Sequence, residues 1–125
     1  MLKNASVRAN LPAVDIERAR KFYTDTLGLK MVAEDPSPGI VFGAGNGTEI
    51  YLYQRGATRA DHTVASFTVK DVEAEVKELK NKGVKFEDYD MPMGIKTVNG
   101  IATMGDMKAA WFKDTEGNIL AISNG

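Results

Sequence analysis

The sequence predicts an α+β fold of two βαβββ modules. Their strands form one curved mixed sheet with the helices on its convex face. Three observations carry this expectation: two capped amphipathic helices, a strand-like run before each, and a glycine-centred hairpin after each. The first helix opens at "VDIERARKFYTDTLG", where Asp15 is the N-cap, Ile16, Ala19, Tyr23 and Leu27 share one face, and Gly28 ends it. The second opens at "KDVEAEVKELKNKG", with Asp71 as N-cap, Val72, Val76 and Leu79 as the apolar stripe, and Gly83 as terminator. The preceding runs are "SVRANLPA" and "HTVASFTV". The caps lie 56 residues apart (71 − 15), which marks an internal repeat.

The hairpins continue the repeat. "IVFGAGNGTEIYLYQ" and "AWFKDTEGNILAIS" carry Gly47 and Gly117 at equivalent turn positions, an offset of 70 (117 − 47). The second module therefore holds 14 extra residues (70 − 56), and "DYDMPMGIKTVNGIATMGDM" is where they fit. Its Met91, Met93, Ile95, Ile101, Met104 and Met107 suit a segment that covers something apolar. A module of this size buries its sheet poorly alone, so residues 1–125 are expected to form a single domain, with modules at about 4–56 and 62–124. One sheet face packs on the helices and the other is free to form a cavity or an interface.

Composition narrows the class. With 43% hydrophobic and 26% charged residues and a net charge of −1, the chain reads as an ordinary globular protein without the basic stripe of a nucleic-acid binder. The absence of cysteine rules out disulfides, thiol catalysis and thiolate metal sites. The start "MLKNASVRANLPAVD" has no apolar signal core and no segment reaches membrane-spanning length, so the expected setting is the cytoplasm, with no membrane partner.

Paired modules carrying "DIERARKFYTDTLGLK" and "WFKDTEGNILAI" resemble the vicinal-oxygen-chelate superfamily of glyoxalases, bleomycin-resistance proteins, fosfomycin-resistance enzymes and extradiol dioxygenases. The resemblance spans nearly the whole chain. It implies a homodimer as the usual assembly and, in the enzymes, a divalent metal held by His, Glu or Gln from the first and last strands of each module. Those positions fall here on Arg8, Tyr51, Val64 and Ala121. A guanidinium repels a cation, Val and Ala offer no lone pair, and a tyrosine ligates only as phenolate. The expectation is a member that has lost its metal site and needs no cofactor.

Strand alternation sends Ala9, Leu11 and Ala13 toward the helices. The concave face then receives Arg8, Asn10, Glu49, Tyr51, Tyr53, His62, Val64, Ser66, Ile119, Ala121 and Ser123, with Trp111 close by. Aromatic walls, an aliphatic floor and a few polar anchors suit a small-molecule pocket. Arg8 either holds a carboxylate or phosphate or closes a salt bridge to Glu49 or across a dimer. The tyrosines either stack on a ligand or pack the sheet. His62, the one histidine, is either a general base or an exposed residue at a strand start. "FGAGNG" leads into a strand, which makes it a hairpin turn and not a phosphate loop. Binding of a small, partly apolar and possibly anionic molecule is favoured over the alternative, a superfamily enzyme with a displaced site around His62 and Glu49.

Overall fold

The computed structural model describes residues 1–90 and 95–125 and divides the chain into two compact units, Met1–Thr58 and Arg59–Gly125. The fold is α+β. Where the sequence suggests one shared sheet, the strands are hydrogen-bonded as two mixed sheets, one in each unit.

In the first unit, β1 (Ala9–Ala13) runs parallel to β4 (Glu49–Gln54), and β3 (Gly39–Gly43) and β2 (Lys30–Asp35) extend the sheet antiparallel, in the order β1-β4-β3-β2. Leu11, Ala13, Ile40, Phe42, Ile50 and Leu52 are buried on one face of this sheet. Helix α1 (Ile16–Lys21) starts at Asp15, whose carboxylate accepts the Arg18 amide at 3.1 Å, as the capping signal requires. Ala19 and Tyr23 are fully buried, and the Tyr23 ring stacks on Phe42 at 5.7 Å. The helix departs from expectation after Lys21. Residues Phe22–Thr26 form a π-helical turn, in which the Leu27 amide reaches back to the Phe22 carbonyl at 3.0 Å. This wider turn leaves Leu27 only half-buried at the end of the stripe.

In the second unit, β5 (Thr63–Thr68) runs parallel to β9 (Ile119–Ser123), followed by β8 (Met107–Lys113), β7 (Ile101–Met104) and β6 (Thr97–Val98), in the order β5-β9-β8-β7-β6. Helix α2 (Val72–Asn81) is capped by Asp71, which accepts the Ala74 amide at 3.0 Å, and buries Val72, Val76 and Leu79 as the stripe predicts. Gly28 and Gly83, the two predicted terminators, adopt φ of +74° and +92°, where a side chain would be strained.

The extra residues form structure of their own. The chain leaves the sheet after Phe86, which bridges Phe112, and returns as β6 at Thr97. Between them, Asp88 and Tyr89 are tied to Thr97. The Thr97 hydroxyl donates to the Asp88 carboxylate at 2.8 Å and accepts the Tyr89 amide at 2.7 Å, while the Gly100 amide adds a bond to Asp88 at 2.9 Å. Of the apolar residues expected to cover the sheet, Met91 and Met93 lie outside the described residues. Met104 and Met107 do not cover it: each is 37% exposed, at the tip of the β7–β8 hairpin. Among the described residues, no helix is long and apolar enough to cross a membrane.

The turn between β8 and β9 is organised by one side chain. Asp114, 6% exposed, accepts the amides of Glu116 and Asn118 and the Asn118 side-chain amide, each at 2.8 Å. Replacing it strands buried donors. Asp114→Ala is expected to lower unfolding free energy by roughly 2–4 kcal/mol in urea titration, with Asp114→Asn intermediate.

Candidate functional site

The open face of the first sheet is built on β1 and β4. Because Asn10 pairs with Tyr51 and Leu11 with Leu52, burying the leucines leaves Asn10, Glu49, Tyr51 and Tyr53 on the other face, as alternation predicts. The Tyr51 and Tyr53 rings lie parallel at 6.2 Å, 12° apart. The Arg8 guanidinium sits 3.8 Å from Glu49, the salt bridge read from the sequence, and 4.8 Å above the Tyr51 ring, a cation–π contact that the sequence did not disclose. The Tyr51 hydroxyl donates to Asp35 at 2.6 Å, which anchors the ring at its far end.

Gly39 makes that ring position available. A Cβ there would come within 2.5 Å of Tyr51 Cζ and 2.6 Å of Cε1, so only glycine lets the ring lie across β3. Asn10, Ser37, Pro38, Tyr51, Tyr53 and Gln54 line a cleft of about 300 Å³. Hydrogen bonds from the Ser37 hydroxyl, then from Tyr51 and the Ser37 amide, with the charge of Arg8 nearby, hold the Asp35 carboxyl below the usual carboxylate range.

The second sheet has its own cleft, of about 320 Å³, lined by Asp61, His62, Thr63, Tyr89, Ile95, Trp111 and Ile119. Tyr89 comes from the extra segment and stands edge-on to Trp111, with centroids 5.5 Å apart and planes at 72°. Burial, then the charge of Glu87, pushes the Tyr89 phenol up, so it remains a neutral hydroxyl. His62 and Trp111, both predicted as pocket residues, meet here. His62 is 72% exposed, with Nδ1 3.8 Å from Asp61, in keeping with a residue at the strand start.

Val64 departs from the predicted alternation. The register shifts between Thr63 and Ala65, which makes Thr63 the residue opposite Ile119 and leaves Val64 as the additional residue. Ser66 pairs with Ala121, which also faces Trp111 across β8 and is 5% exposed. Ser66 is exposed and stands outside the residues lining the cleft, while Ser123, half-buried, closes the strand.

The residues at the positions where the resemblance implies metal ligands do not fit a divalent cation. In the first unit, Arg8 brings its own positive charge, and the Tyr51 hydroxyl is engaged by Asp35. In the second, Val64 and Ala121 have no donor atom. Among the described residues, no group of three or more His, Cys, Asp or Glu side chains is placed to hold a metal ion.

Sequence reasoning missed Asp35, Gly39 and Tyr89. Gly39 carried the one usable signal, a glycine immediately before a run predicted to pair with a tyrosine-rich strand.

The chain matches the family described as "Glyoxalase/Bleomycin resistance protein/Dioxygenase superfamily" over residues 6–122. It is 32% identical over 124 residues to a "Glyoxylase-like domain-containing protein" of Didymella fabae, covering 90% of this chain and 87% of that one. Among solved structures it resembles TnmS3, an antibiotic binding protein from Streptomyces sp. CB03234, with TM-score 0.67, 21% identity and 95% of each chain covered. It also resembles a Glu-to-Gln variant of the fosfomycin resistance protein FosX from Listeria monocytogenes, complexed with Mn(II) and a dihydroxypropylphosphonic acid. There the TM-score is 0.68 at 14% identity, covering 97% of this chain and 90% of that one.

The Asp35 contacts have a pH signature. A carboxyl with a depressed folded-state pKa contributes stability that is present above its unfolded value and is lost as pH falls through the folded one. Tyr51→Phe should move the Asp35 carboxyl back up, followed by its side-chain carbon resonance. The variant should then lose less stability than the parent as pH is lowered through the carboxylate range.

Proposed function

The chain belongs to the Glyoxalase/Bleomycin resistance protein/Dioxygenase superfamily, and on that premise we propose that it binds a small, partly apolar molecule without a metal. The reading is sequestration, and the similar structure TnmS3 is described as an antibiotic binding protein. The observation that carries it is the stack of Arg8 on Tyr51 on Tyr53, standing at and beside positions where a metal-dependent member needs ligands. A planar group packs against the tyrosines, and an anionic substituent takes the guanidinium N–H groups of Arg8 that Glu49 leaves unused. Asn10 and Gln54 supply hydrogen bonds at the rim of the cleft.

The enzyme alternative has less support. Glu49 is already ion-paired with Arg8, and among the described residues His62 has only Asp61, at 3.8 Å, as an ionic partner. We also propose a homodimer. Strand β2 is an edge strand exposed along its length, and Met31 and Val32 are 40% and 56% exposed on it, an apolar surface that a second copy would cover.

Calorimetric titration with nickel, zinc, manganese and iron should show no stoichiometric uptake. A one-to-one metal lost on His62→Ala would overturn the metal-free reading. In thermal-shift screening of small aromatic acids, binders should raise Tm, and Arg8→Ala should remove those shifts. Shifts that survive Arg8→Ala unchanged would show that Arg8 is not the anchor. Sedimentation at micromolar concentration should give a dimer that Val32→Glu dissociates; a monomer at every concentration would refute the proposed assembly.

A further inference from the structure

We propose that the cleft of the second unit is a binding site for a compact organic cation, an alkylammonium or quaternary ammonium group. It goes beyond the Arg8 reading and stands on other residues. Two aromatic rings meet there at a steep angle. Trp111, the one tryptophan of the chain, and Tyr89 make a corner with planes at 72°. Ring faces carry negative potential, and tryptophan offers the strongest of them. A methylated ammonium group set in the angle of this edge-on pair meets the ring face left open, and its methyl groups pack on Ile95 and Ile119, which line the same cleft.

The charges agree with this assignment. Neither lysine nor arginine lines the cleft, while the Asp61 carboxylate stands at its mouth beside His62. Lys113, two residues from Trp111 on β8, is ion-paired at 3.9 Å with Glu87, whose charge acts on Tyr89. An anion would face the Asp61 carboxylate and an electron-rich ring face. A neutral apolar group would find the isoleucines but gain nothing from the carboxylate. The volume, about 320 Å³, lies at the small end of the range for ligand pockets, which fits a compact head rather than an extended chain.

The corner is a product of the extra residues. Tyr89 is positioned by the hydrogen bonds that its amide and carbonyl make with Thr97, and Thr97 is held in turn by Asp88. The first module lacks this segment, so its sheet has no counterpart to the Tyr89 wall.

Trp111 is also the reporter. The full-length protein is titrated at low salt and pH 8 with choline, and in parallel with its neutral carbon isostere, in which a tert-butyl group replaces the trimethylammonium. Choline should change the Trp111 emission saturably, and the isostere should bind about tenfold more weakly. Asp61→Asn, at a fully exposed position where folding is unaffected, should weaken choline several-fold and flatten its salt dependence. Tyr89→Leu should weaken it about tenfold while the unfolding midpoint confirms a folded protein. Equal binding of choline and the isostere, no saturable change, or indifference to Asp61→Asn would each overturn the proposal. Choline has no anionic group, so these failures would leave the Arg8 reading standing. Loss of the Arg8-dependent shifts would likewise leave this one standing.

Discussion

The parallel pairing of β1 with β4 places Leu11 beside Leu52 and Asn10 beside Tyr51, and the rest of the first unit depends on that register. With a side-chain period of two, one choice settles both faces. If Leu11, Ala13, Ile50 and Leu52 meet Tyr23 and Ala19 of the helical segment, then Glu49, Tyr51 and Tyr53 must stand on the other side. A slip of β4 by one residue would expose Ile50 and Leu52 and bury a carboxylate and two phenols, a cost of several kcal/mol on apolar area alone, at about 25 cal/mol per Å². The aromatic stack is thus fixed by the core behind it. Arg8, one residue before β1, reaches the same face and finds Glu49 and the Tyr51 ring already in place.

The second unit obeys the same constraint and then modifies it. Leu120 and Ile122 are buried as alternation requires, yet the register shift beside Val64 changes which residue faces Ile119 at the start of β5. The segment after Phe86 supplies a wall where the first unit has only an edge strand. Its anchorage is polar: Asp88, held below the usual carboxylate range first by the Thr97 hydroxyl and then by the Gly100 amide, ties the two ends of the excursion together. On the other side of the hairpin, Lys80 of α2 donates to the Asn99 carbonyl at 3.1 Å, and Lys108 is ion-paired with Glu73. Tyr89 is therefore carried by a braced hairpin.

What the sequence discloses follows the range of the forces involved. The caps at Asp15 and Asp71, the stripe of Val72, Val76 and Leu79, and the terminators Gly28 and Gly83 are local, and each can be read within one or two helical turns. Alternation extends that legibility to the face bearing Asn10, Tyr51 and Tyr53. The shift beside Val64 and the Tyr89–Trp111 corner are not local. Each depends on a partner brought up from elsewhere in its unit. Tyr89 and Trp111 are 22 residues apart (111 − 89), and no periodicity links a loop tyrosine to a strand tryptophan. Gly39 belongs with these, since its reason is the ring of a residue two positions from its own cross-strand partner, Tyr53.

The substitution pattern in the first unit also has a chemical logic. A metal site needs lone pairs aimed at one point, and its energy depends on tight radial geometry. At positions the resemblance implies for ligands, Arg8 and Tyr51 present a surface instead: a planar cation on a planar ring, with the ring's hydroxyl drawn toward Asp35. Donating to a carboxylate increases electron density in the phenol, which strengthens the ring's hold on the guanidinium. Glu49 then balances part of the charge of Arg8 and limits how strongly that residue binds any one anion. On the proposed binding reading, a site of this kind would recognise flat groups by area and select among them by rim hydrogen bonds, and would tolerate related ligands that a coordination site rejects. That tolerance suits capture of a molecule better than chemistry on it, because catalysis requires donors aimed at one developing charge, and the described residues of this face aim theirs at one another.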